Sequence, residues 1–250
     1  MKIRKSILLI GIIGLLISSC ADKKDGEQKT TLLSNFVSIT DNEDKGVKEV
    51  LGFYGGYCKY AVGASASTDK GKSKYFELEM SKSEVIDSYS DVAQMPASNV
   101  AYLFYKNLAE EKENYNEIHT VIVFPDGDEM TFKYPTEQLE EVLNRMKSVE
   151  QITSLIKSKD FQRIKSLLND TSVAKYDKNE LIANMEKMDS NFGNVKEFIP
   201  YGFRFNELEN GKEYLHISGA IMRDKQSHEF SADFDLDAPI DELLKIEYKL

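Results

Sequence analysis

Tryptophan is missing altogether, and cysteine, histidine and proline are scarce: the 250 residues hold 2 Cys, 3 His and 5 Pro. The lack of Trp argues against a carbohydrate platform built on that side chain. So few Pro, with only 14 Gly, exclude collagen-like and Pro-rich linker protein. The three His, at positions 119, 216 and 228, are scattered and give no metal-ligand spacing. Positive charge is also short. There are 32 Lys and Arg against 42 Asp and Glu, a formal net charge of −10. A phosphate backbone is gripped by clustered Lys and Arg, so this balance disfavours a nucleic-acid partner. No G-x-S-x-G, H-E-x-x-H, P-loop or dinucleotide-binding fingerprint occurs. What remains is the composition of an ordinary folded protein, 41% hydrophobic and 30% charged. The length admits one large or two small domains.

At the N-terminus, Lys2, Arg4 and Lys5 precede an apolar run from Ile7 to Ile17, broken only by Gly11 and Gly14. That run is too short to span a bilayer core, which takes about 20 apolar residues. It has the length of a signal-peptide h-region. The segment Ile17-Ser18-Ser19-Cys20 that ends it resembles the lipobox of bacterial lipoproteins. The resemblance implies a signal peptide over residues 1–19, cleavage before Cys20, and a Cys20 that carries a diacylglycerol and usually an N-acyl chain such as palmitate. Two or three acyl chains exceed the two-signal requirement for stable anchoring. Loss of the three N-terminal cations would take the net charge from −10 to −13. Ala21 in place of Asp is similar to the pattern sorted to the outer membrane. Asp22 to Glu27 is loosely similar to the short charged signal of surface lipoproteins in Bacteroidota. Residues 20–43 then read as a polar tether. With Cys20 acylated, Cys58 is alone and no intramolecular disulfide can form. No His lies near it in sequence, so a buried structural thiol is expected.

The body alternates helical and strand periodicities, which predicts an α+β fold of antiparallel sheets with packed helices, in one or two small domains. An N-terminal domain over 44–148 is expected to begin with a short helix at 44–51. The order strand, strand, helix, strand, strand, helix then follows, with hairpins at Asp69–Lys72 and Pro125–Asp128. Its last helix is expected to be capped by Thr136 and to run to about Met146. A C-terminal domain over 149–250 is expected to place helices at about 149–157, 160–168 and 178–191 before strands at about 195–207, 213–223, 228–236 and 245–250. Asp177 and Gly193 supply the start and stop of the third helix. Three helices followed by four strands weakly resemble the NTF2-like and cystatin-like folds, an impression carried by Phe192-Gly193 and by Phe198-Ile199-Pro200-Tyr201-Gly202-Phe203. Such folds host enzymes, binding modules and scaffolds alike, so the resemblance leaves function open.

Strand pairing can be argued further. A three-residue loop at Glu209-Asn210-Gly211 sets Phe203 opposite Ile217 and Phe205 opposite Leu215, which separates apolar from polar side chains. Matching apolar faces in the next hairpin sets Ile217 opposite Phe234 and His216 opposite Asp235. Arg204, His216 and Asp235 then form a polar row across three strands. Such a row could be a His–Asp dyad beside an anion-binding Arg. The blander and preferred reading is cross-strand charge pairing on a wetted sheet face, worth a few tenths of a kcal/mol per pair.

Asp233-Phe234-Asp235-Leu236-Asp237 fails as a calcium loop, because Ala238 and Leu244 stand where Gly and Glu are needed. His119 is expected to be buried or at a sheet edge, and His228 exposed at a turn. No catalytic, cofactor-binding or metal-binding residue is therefore assigned. The expectation is a non-catalytic, lipid-anchored protein of the cell envelope, held to the bilayer through Cys20, that binds a small ligand or an envelope protein. An envelope hydrolase or lyase using His216 and Asp235 is the main alternative. A structural accessory of an outer-membrane complex is the other.

Overall fold

The computed structural model describes residues 38–67, 71–169, 177–208, 210–239 and 242–248. The lipobox, Cys20 and most of the tether lie outside these residues, as does the tip of the first hairpin.

Helix α1 (Asp41–Tyr54) begins three residues before the expected start, because Thr40 and Glu43 form a capping box. The Thr40 hydroxyl accepts the Glu43 N–H at 3.1 Å, and the Glu43 carboxylate accepts the Thr40 N–H at 2.9 Å. Strands β1 (Tyr57–Ser67) and β2 (Gly71–Ser81) form an antiparallel hairpin. Two helices follow, α2 (Glu84–Asp87), capped by Ser83, and α3 (Gln94–Tyr105). They carry the chain across the sheet, so β3 (Glu117–Val123) joins β2 in parallel. Strand β4 (Glu129–Pro135) returns antiparallel to it. The first sheet is thus mixed, in the order β1-β2-β3-β4, with one parallel pair where an antiparallel sheet was expected.

Helix α4 (Thr136–Ser158) is one continuous helix of 23 residues where two segments were expected. Leu139, Val142, Met146, Val149, Ile152 and Ile156 are buried along it at intervals of three or four, and no Pro or Gly interrupts the run. The expected border at 148/149 falls inside this helix. Thr136 is its first helical residue rather than its cap, and the hydroxyl instead donates to the Asn116 carbonyl at 3.2 Å. Helices α5 (Phe161–Leu167), capped by Asp160, and α6 (Lys178–Phe192), capped by Asp177, complete the set. Strands β5 (Val195–Glu207), β6 (Glu213–Arg223), β7 (His228–Asp235) and β8 (Lys245–Tyr248) form a second, wholly antiparallel sheet in chain order. The α+β class is therefore as expected.

Helix α3 is buried from Pro96 to Tyr105 and packs against α1, α4, the first sheet and β5. Its apolar, small and aromatic residues suit a helix covered on every side. Tyr134 of β4 meets Phe203 of β5 edge-on at 5.5 Å. The buried apolar side chains of both sheets belong to one continuous cluster. Arg145 of α4, 1% exposed, reinforces the join. Its guanidinium donates to the carbonyls of Asp235, Ala238 and Pro239 at 3.1, 3.2 and 2.8 Å, and to Glu141 at 2.6 Å.

Candidate functional site

The apolar face of the second sheet turns towards the helices, through Phe203, Leu215, Ile217, Ala232, Phe234 and Ile246. The other face is polar, and β5 and β6 pair on it as the loop argument required. Leu208 N–H donates to the Lys212 carbonyl at 2.7 Å, and Gly211 takes the left-handed position at φ +80°. Arg204 therefore lies opposite His216.

The next pairing differs from expectation. His216 is opposite Asp233, and Tyr214 is opposite Asp235. Alternation has a period of two, so a slip of two residues keeps every side chain on its face and apolar matching cannot distinguish the registers. The turn makes the choice. Ser227 Oγ accepts the Arg223 N–H at 3.2 Å, and β7 starts at once with His228 opposite Ile221. The polar row is thus Arg204, His216, Asp233 and Lys245, one residue from each strand.

His216 Nδ1 lies 2.6 Å from Asp233 Oδ1, and the two side chains are only 16% and 18% exposed. Lys245 donates to Glu247, a bond that raises the pKa of its ammonium. Arg204 makes no ion pair among the described residues, which leaves its guanidinium as the uncommitted cation of the row. Asp235 has a different role from the one expected. It is buried, accepts the Asp237 N–H at 3.0 Å, and lies 3.3 Å from Lys212 Nζ. It thereby closes the turn after β7.

The row lines a cavity of about 650 Å³, with Ser218, Ser231 and Glu229 beside it and Val92, Met95 and Tyr201 along its rim. It offers the Arg204 guanidinium, the Lys245–Glu247 and His216–Asp233 pairs, hydroxyls, and the Glu229 carboxylate. A small ligand carrying an anionic group and hydrogen-bonding groups matches that chemistry.

The remaining sites are structural. Cys58 is buried, and burial pushes its thiol up to about 12, so it is not a nucleophile near neutral pH. His119 is buried in β3, stacked on Tyr75 at 4.1 Å and 2.8 Å from Glu117. His228 is buried rather than exposed, because it opens β7 on the inward phase shared with Phe230 and Ala232. Burial lowers its pKa, and its Nε2 accepts from Arg223 Nε at 3.2 Å. Asp126–Asp128 is an exposed hairpin tip around Gly127, where Asp126 accepts the Asp128 N–H at 3.0 Å. Among the described residues no group of three or more His, Cys, Asp or Glu could hold a metal ion. No described helix is long and apolar enough to cross a membrane.

Two buried arginines were not anticipated. Arg145 is one. The other is Arg223, whose Nη1 lies 2.7 Å from Asp189 Oδ1, with side-chain exposures of 1% and 6%. This is a close charge contact without good hydrogen-bond angles at that oxygen. A signal existed for both pairs. Arg145 interrupts the apolar stripe of α4, and Asp189 sits on that of α6 with Ile182, Met185 and Phe192. A charge at a core-facing position requires a buried partner.

Comparison of the chain with family models, with curated proteins and with solved structures finds no match in any of the three.

Proposed function

We propose that this is a binding protein of the cell envelope, tethered by an acylated Cys20, that takes a small polar ligand in the cavity over the second sheet. The tether reading rests on the register of Lys2–Lys5, the apolar run and the Ile17–Cys20 segment. The binding reading is carried by one observation: the row Arg204–His216–Asp233–Lys245 lines a cavity of about 650 Å³ in which the Arg204 charge has no partner among the described residues.

Two measurements test it. Cys20→Ala should move the protein from the membrane fraction to the soluble fraction, and continued retention would contradict acyl anchoring. A thermal-shift screen of small carboxylates, amino acids and sugars against the full chain should give stabilising compounds whose effect is lost in Arg204→Gln. A shift that survives this change would move the ligand elsewhere.

The 2.6 Å contact between His216 and Asp233 supports a second reading, acid–base catalysis by a hydrolase or lyase. The catalytic partner would be Asp233, since Asp235 is engaged with Lys212 and the turn. Turnover of ester or glycoside substrates that disappears in His216→Gln with binding retained would favour this reading over simple binding.

A further inference from the structure

The cavity over the second sheet does not end on polar groups. At Met95 and Tyr201 it adjoins a smaller hollow of about 190 Å³, walled by Phe53, Tyr54, Val85, Tyr89, Pro96 and Ile199. Each hollow is incomplete without the two shared side chains. The segment that runs along both carries large apolar side chains in water: Val85 is 44% exposed, Tyr89 40% and Val92 53%. Val85 and Tyr89 face the smaller hollow and Val92 the larger. Exposed apolar groups gathered at one rim mark a binding surface more often than scattered ones do.

The shared wall is held firmly. Ser98 Oγ donates to the Met95 carbonyl at 2.8 Å and accepts the Phe203 N–H at 2.8 Å, which pins the start of α3 to β5.

We propose that the two hollows form one site for an amphiphilic organic anion, its carboxylate on Arg204 and a single ring-sized apolar group in the smaller hollow. This rests on the binding reading above and adds the ligand class. Charge fixes one end. In the polar row, His216 is engaged by Asp233 and Lys245 by Glu247, so Arg204 is the cation open to a carboxylate, and its planar fork fits one. Size fixes the other end. A volume of about 190 Å³ slightly exceeds the ~150 Å³ that encloses a benzene ring. Phe53, Tyr54, Tyr89 and Tyr201 supply ring faces and edges for such a group. A polar ligand alone would leave the apolar rim wet, and an uncharged apolar one would leave Arg204 unused.

Isothermal titration of the purified full chain tests this with acetate, a series of phenylalkanoates of increasing linker length, and the matching phenylalkanols. Affinity should pass through a maximum at one linker length, where ring and carboxylate reach their places together. The alcohol matched to the best acid should bind roughly tenfold more weakly or worse. Arg204→Gln should bring the acid down to the level of that alcohol. Val85→Asp and Tyr89→Asp, both at exposed positions, should weaken the phenyl acids and leave acetate unchanged. Acetate binding as tightly as the best phenylalkanoate would overturn the two-part site and leave the polar cavity as an anion site. Phenylalkanoate binding unaffected by Arg204→Gln would overturn it too. If none of the acids binds, the inference fails, and the binding reading is then decided separately by the thermal-shift screen.

Discussion

His216 Nδ1 meets Asp233 Oδ1 at 2.6 Å across β6 and β7, whereas Asp235, two residues further along β7, reaches Lys212. With Nδ1 engaged, Nε2 is the ring nitrogen left to face a ligand. Asp233→Asn should therefore shift the His216 ring nitrogen resonances, and Asp235→Asn should leave them in place. Both side chains of the pair are less than one-fifth exposed. His216→Ala should cost about 1–2 kcal/mol by denaturant unfolding, more than an exposed pair and less than a fully buried one. A loss of several kcal/mol would make the ring a core element instead.

Arg145 is the largest fully buried side chain among the described residues and donates to three carbonyls around the turn after β7. Arg145→Met takes the charged donor from all three carbonyls and from Glu141, and leaves only the Asp235 and Pro239 oxygens with a backbone partner, the N–H groups of Ala238 and Glu242. The expected loss is roughly 3 kcal/mol or more in urea unfolding. Arg145→Lys should recover only part of it, since an ammonium cannot reproduce the planar fork. A near-neutral Arg145→Met would mean that the turn re-forms around water.

His228 gives the stability a pH dependence of definite sign. Burial holds its folded-state pKa below the ordinary 6.5. In the window between the two values the unfolded chain binds more protons than the folded one. The stabilisation is thus complete above about pH 6.5 and is lost as pH falls towards the folded value. Wild-type protein should lose more unfolding free energy between pH 7 and pH 5 than His228→Gln, which stays neutral. Equal slopes for the two would contradict a buried neutral imidazole.

Gly202 lies where β5 passes the start of α3. Its φ of +154° and its closeness to α3 leave no room for a side chain: a Cβ would meet the Met95 carbonyl oxygen at 2.1 Å. A backbone oxygen cannot swing aside as a side-chain tip can. Gly202→Ala should destabilise by about 2 kcal/mol or more and loosen Met95, the wall shared by the two hollows. An unchanged melting temperature would mean that α3 and β5 part without cost.

Much of the architecture was legible because it depends on local rules. Asp177 and Gly193 bound α6, as capping chemistry requires. Gly211 at φ +80° fixed the loop that places Arg204 opposite His216. Other features escaped because two answers satisfied the same local rule. A register slip of two residues preserves face alternation, so Asp235 could stand in for Asp233 on paper. Residues 147–148 looked like a break only because the apolar stripe of α4 passes Lys147 and Ser148 there, while Met146 and Val149 carry it across. His228 read as a turn residue until the turn proved to end at Ser227.

From the linear chain alone came the α+β class, most element positions and the β5–β6 register. All of these follow from side-chain periodicity, turn chemistry or residue spacing, which act over a few neighbours. The tertiary structure decided the parallel β2–β3 pairing, the Asp233 partner of His216, the burial of Arg145, Asp189 and His228, and the placing of Met95 and Tyr201 on both hollows. These depend on groups far apart in sequence, and local periodicity carries no information about which distant surfaces will exclude water together.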